Sequence, residues 1–171
     1  SGVTRSSAKS DSAKIASATD SIATLRMNTE AFTAALRVLE QPSDYRMATD
    51  ADEDDQYNVP PRVWSRIMEE AHGAGKKWDY GDNFYPAARD TVMQWWVRTQ
   101  FLNGETVETL APRWINRIKG LDVPPDTARV YGYKLIQEYN AQVKAMKDDG
   151  TLDSYRRSAK NILIPNTTKE E

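Results

Sequence analysis

The chain contains no cysteine and a single histidine in 171 residues. The first absence excludes disulfides, thiolate metal ligands and thiol nucleophiles. The second excludes His-rich zinc sites and leaves His72 as the only base for a Ser-His-Asp triad. Hydrophobic residues make up 39% and mean hydropathy is −0.72, so a core has to be gathered from the middle of the chain, between polar ends. No apolar run approaches the roughly 20 residues of a membrane-spanning helix, and SGVTRSSAKSDS has none of the apolar character of a secretory leader, so the chain reads as soluble. A formal charge of −2 argues against nucleic-acid binding by bulk electrostatics. G-x-S-x-G, the P-loop and G-x-G-x-x-G are all absent, and Gly73-Ala74-Gly75-Lys76 is too short to cradle phosphate. Strict alternation between hairpin turn pairs is missing as well, as is any repeat of fixed period.

What is present is helical periodicity. The expected fold is all-α, an irregular bundle of five or six helices with extended N- and C-terminal arms. Residues 1–10 are Ser-rich, carry Arg5 and Lys9 and read as a flexible basic arm. Over 11–41, Ile15, Ala18, Ile22, Leu25, Thr29, Phe32, Leu36 and Leu39 recur at spacings of three and four, the narrow seam of a coiled-coil-like helix stopped by Pro42. Residues 43–59 read as an acidic, solvated loop. Asp50, Asp52 and Asp54 have the spacing of the first EF-hand ligands, but Asp55 and Pro61 stand where that loop needs glycine and glutamate.

Core helices follow over 60–160. Pro60-Pro61 opens one with Val63, Trp64, Ile67, Met68 and Ala71 inward. A loop with Trp78, Tyr80, Phe84 and Tyr85 leads to Pro86–Gly104, where one face carries Ala88, Val92, Trp95, Trp96 and Leu102 and the other Met93, Val97 and Phe101. Pro112 divides the next segment into a turn around Val107 and Leu110 and a short helix with Trp114, Ile115 and Ile118, closed by Gly120. Pro124-Pro125 starts a helix to about Lys147, with Gly132 in mid-face; glycine there implies close approach of a bulky group, with Trp95 or Trp96 the candidates. A last helix over 151–160 turns Leu152 and Tyr155 inward, and residues 161–171 form an extended tail.

Tested for chemistry, the sequence selects no cofactor or metal site. Glu69 and His72 form one Glu-x-x-His pair where a di-iron bundle needs two. A small carboxylate-dependent glycoside hydrolase would have to draw on Glu69, Glu70 or Glu105, with no motif to choose among them. Two binding readings remain. A partner surface would use Ile15, Ile22, Leu25, Trp78, Tyr80, Met93, Val97, Phe101 and the Ile162-Leu163-Ile164 segment. A nucleic-acid surface would use Arg5, Lys9, Arg113, Arg117, Lys119, Arg156, Arg157 and Lys160. The favoured expectation is a non-catalytic structural protein that assembles with itself or with other subunits, as in a virion, capsid or filament; nucleic acid is the alternative partner.

Overall fold

Between Val3 and Gln41 the sequence holds neither proline nor glycine, and the chain forms one uninterrupted helix, α1, Gly2–Glu40. The computed structural model describes residues 2–41, 49–79, 81, 84–118 and 123–165, with side chains from residue 10 onward except 117 and 118. After α1 come α2 (Pro61–Gly73), α3 (Pro86–Leu102), α4 (Val107–Arg113), a π-turn (Trp114–Ile118), α5 (Pro125–Asp148) and α6 (Thr151–Leu163). Every regular element among the described residues is helical, so the fold is all-α.

The ends differ from expectation. Residues 2–10, read as an arm, continue α1, because nothing in them breaks a helix. Ile162 and Leu163, read as tail, complete α6. Residues 166–171, Tyr80 and Gly120 lie outside the described residues.

The chain divides into two compact units, Ser1–Asn28 with Val143–Glu171, and Thr29–Gln142. The larger unit holds most of the core. Proline at the first turn starts α2 and α3, and all five residues expected inward on α2 are buried. On α3, Val92 and Trp96 are buried on one side and Met93 and Val97 on the other, the two-faced pattern of a central helix. The second half of α1 covers the latter side, with Phe32 meeting Phe101 edge-on at 6.0 Å and Tyr139 at 6.5 Å. Trp64 sits between Tyr57 and Phe84, at 6.2 and 5.0 Å. Thr106 and Thr109 cap α4 reciprocally. Pro112 lies inside α4, where its missing N–H breaks the ladder, and the chain widens into the π-turn immediately after it.

Gly132 is buried on the inner face of α5, but the close approach expected there is absent, since a methyl group in place of its hydrogen would meet nothing within 4 Å. The indoles are engaged elsewhere, Trp95 against Trp78 at 6.0 Å and Trp96 against Trp114 at 5.9 Å.

The smaller unit has a slight core. Ala23, Met27 and Leu152 are its buried centre, with Val143, Met146 and Tyr155 partly buried around them. Gly150 adopts a left-handed conformation, φ 85°, at the entry to α6, and the Asp149 carboxylate accepts from the Thr151 N–H and hydroxyl to hold that entry.

Candidate functional site

In the smaller unit, α1 presents two faces about 140° apart at 100° per residue. One, through Ala23 and Met27, faces the core. The other carries the seam residues Ile15, Ala18, Ile22 and Leu25, of which Ile22 is 40% exposed and the others half-buried. At the end of α6, Ile162 is 72%, Leu163 39% and Ile164 45% exposed. Between α1 and α6 runs a groove of about 420 Å³, lined by the apolar Ile15, Ala16 and Ile164, the polar Ser12 and Thr19, and the charged Asp20, Arg156 and Lys160. Arg156 is tied to Asp20 at 3.0 Å and to Asp153 at 3.0 Å, both partners raising its pKa. Lys160 and Arg157 are exposed, and neither has an ion-pair partner among the described residues. Arg26 stacks on Tyr155, its guanidinium carbon 4.0 Å from the ring centroid.

In the larger unit the segment 49–59 is solvated only in part: Asp50, Asp52, Glu53 and Asp54 are exposed, as its composition suggests, whereas Asp55 and residues 57–59 are buried. The Asp55 side chain is buried and accepts from the Tyr57 and Val59 N–H groups and, at 2.7 Å, from the Trp64 indole. The 4%-exposed Arg89 reaches Asp52 and Asp54 at 3.5 and 3.4 Å and donates to the Asp54 carbonyl. Those two carboxylates are thus oriented by an arginine, and among the described residues no three acidic or histidine groups converge as a metal site. The outer side of the segment stays acidic, with Asp50, Glu53 and the largely exposed Asp52 and Asp54. Tyr85, 61% exposed, stands at the same end of α3, where its carbonyl accepts from the Arg89 N–H and its neighbour Pro86 accepts from Gln56 at 2.6 Å.

Two tyrosine networks lock this unit. Tyr57 donates to Asp90 at 2.5 Å and accepts from Arg37 at 2.8 Å; burial first, then Asp90, pushes its hydroxyl far above the ordinary range. Tyr131 donates at 2.5 Å to Glu40, a 3%-exposed carboxylate that also accepts from Asn58 at 3.1 Å. Burial and then Glu40 raise its pKa strongly, against a hydrogen bond from Trp114. Burial and the Glu108 charge push Tyr139 up to about 12.

No family model, curated protein or solved structure matches the chain. The site readings therefore rest on the geometry alone.

Of the partner-surface candidates, Ile15, Ile22, Ile162, Leu163 and Ile164 carry exposed or half-exposed apolar surface in the smaller unit. Met93 and Val97 are fully enclosed in their own unit, and Phe101 is half-buried against Phe32. Trp78 packs on Trp95, under Lys76, with its carbonyl 2.5 Å from the His72 ring. The basic candidates are dispersed. Arg113 pairs with Glu105 in the larger unit, Arg156, Arg157 and Lys160 lie on α6, and the side chains of Arg5, Lys9, Arg117 and Lys119 lie outside the described residues. The Thr109 hydroxyl, and after it Arg113, holds Glu105 below the usual carboxylate range, opposite to what a general acid requires. Glu70 accepts from the Trp96 indole at 3.1 Å, and Glu69 is exposed. Arg89, Glu40, Asp55 and Tyr131 were not singled out from sequence, because a charged or amphipathic residue gives no hydropathy signal of burial.

Proposed function

We propose that the chain is a non-catalytic structural protein that assembles with copies of itself, as the subunit of a filament or shell. One observation carries this reading, the imbalance of the smaller unit between a buried centre of Ala23, Met27 and Leu152 and the exposed Ile22, Ile162, Leu163 and Ile164. Burying a large aliphatic side chain is worth about 1.5–3 kcal/mol, so the apolar surface left outside rivals what is inside. Ile15 and Ile164 share one groove, and grouped exposed apolar surface is the ordinary mark of an interaction site. A helix seam that continues past the residues its own chain covers is a geometry suited to packing on a neighbour.

Light scattering on the full chain tests the proposal. Assembly predicts a mass above that of the 19.4 kDa monomer that rises with concentration and falls in Ile22→Glu and Ile162→Glu variants of unchanged helicity. A monomer at every concentration, with both variants indistinguishable from wild type, would refute it.

A further inference from the structure

The two units differ in charge sign. Ser1–Asn28 with Val143–Glu171 carries ten Lys and Arg against seven Asp and Glu, whereas Thr29–Gln142 carries thirteen against eighteen. The exposed features follow that division. The groove of the smaller unit brings apolar Ile15, Ala16 and Ile164 together with Arg156, Asp20 and Lys160; Asp20 pairs with Arg156, which leaves Lys160 as the groove's cation without an ion-pair partner among the described residues. The larger unit offers the reverse, an exposed aromatic, Tyr85, at an edge carrying Asp52, Glu53 and Asp54. Arg89 pairs with Asp52 and Asp54 and its N–H bonds the Tyr85 carbonyl, which ties the acidic segment to the start of α3 where Tyr85 stands.

We propose that these surfaces recognise each other between copies, the groove of one molecule receiving the Tyr85 edge of the next; this rests on the assembly reading above. Such a contact is heterologous. A pair formed in this way still has one free groove and one free edge, so association propagates into a ring or an open filament rather than stopping at a two-fold dimer. An amphipathic ring in an apolar groove supplies the anchor, and opposite charges around it set orientation and encounter rate.

Mixing charge-reversal variants tests this with the full chain. Lys160→Glu spoils the groove and Glu53→Lys the edge; Glu53 is exposed, and like Lys160 it holds no ion pair among the described residues, so neither change disturbs an internal contact. At about 50 mM salt, where screening is weak, each variant alone should associate about tenfold more weakly than wild type by sedimentation velocity, a loss of about 1.4 kcal/mol. An equimolar mixture should recover association, because one variant keeps an intact groove and the other an intact edge. Tyr85→Ala should weaken association by a larger factor than either charge change; because it too spoils the edge, mixing it with Lys160→Glu should restore association and mixing it with Glu53→Lys should not.

Association of wild type with no effect of either variant, or with no recovery on mixing, would overturn this inference and leave the assembly proposal standing; a wild type that never associates would overturn both. Binding of a short labelled DNA duplex to wild type that Lys160→Glu abolishes, without change in self-association, would assign the groove to phosphates and overturn it too.

Discussion

Replacing Gly132 with alanine should stabilise the protein. The residue lies in the interior of α5, seven positions from Pro125, and is buried, with no heavy atom beyond its own turns of helix backbone within 4 Å of the place a β-carbon would take. Two gains add. Glycine costs about 1 kcal/mol relative to alanine inside a helix, and burying one methyl contributes up to about 0.8 kcal/mol. Overpacking, which costs about 1–3 kcal/mol in a filled core, has nothing to act against here. The net expectation is a gain of about 1–2 kcal/mol, which for a chain of this size raises Tm by about 2–8 °C. Urea unfolding followed by far-UV circular dichroism should show a higher midpoint at unchanged slope. Ala128→Gly, on the same face of α5, is the control and should shift the midpoint the other way. A loss of stability in Gly132→Ala would mean that a bulky group presses on the glycine after all, as the sequence pattern suggests, and would refute the packing described for α5.

Three further outcomes follow from the buried polar groups. Tyr57, Tyr131 and Tyr139 have raised pKa values in the fold, so the unfolded chain loses their protons first; stability is constant with respect to them below about pH 10 and falls above it, by up to about 1.4 kcal/mol per pH unit for each. Absorbance titration near 295 nm should show these three of the eight tyrosines silent until alkaline unfolding, and titration of all eight together near the ordinary value would contradict the networks. Arg89→Leu removes the bond to the Asp54 carbonyl and the arginine shared by the exposed Asp52 and Asp54 and should cost about 1 kcal/mol, read as a lowered urea midpoint; an unchanged midpoint would show that Arg89 does not hold the 49–59 segment. Glu40→Ala strands the Tyr131 hydroxyl and the Asn58 amide and should cost about 3 kcal/mol, with Glu40→Gln costing less because an amide oxygen still accepts from Tyr131; equal losses would deny the hydrogen bonds a part in stability.

Helix positions and starts were legible because prolines and hydrophobic spacing are local signals. Pro61 and Pro86 stand at the first turns of α2 and α3, and the inward stripe of α2 appears residue for residue. The ends of α1 and α6 were not legible, since Ser-rich and Asn-containing segments have weak helix propensity in isolation. The acidic segment was misread for a different reason. Arg89 reaches Asp52 and Asp54 over 37 and 35 residues, farther than a hydropathy window spans, and Trp64, nine residues from Asp55, holds it through an indole N–H that leaves no hydropathy signal. Gly132 illustrates the converse, where a local rule expects a close neighbour that the packing does not provide. For the proposed assembly surface the residues of the smaller unit, Ile15, Ile22 and Ile162 to Ile164, were visible in sequence as apolar residues without an assigned mate. Met93 and Val97 looked the same, and only the position of Phe32 in the second half of α1 shows that side of α3 to be covered.

The most direct test of self-assembly is hydrogen–deuterium exchange of the full chain at two concentrations, one below and one above the onset of association. Assembly through the surfaces described predicts that protection at the higher concentration rises in α1 around Ile15–Leu25 and in α6 up to Ile164, while the enclosed α3 residues Met93 and Val97 stay as they were. Identical exchange at both concentrations throughout α1 and α6 would contradict it.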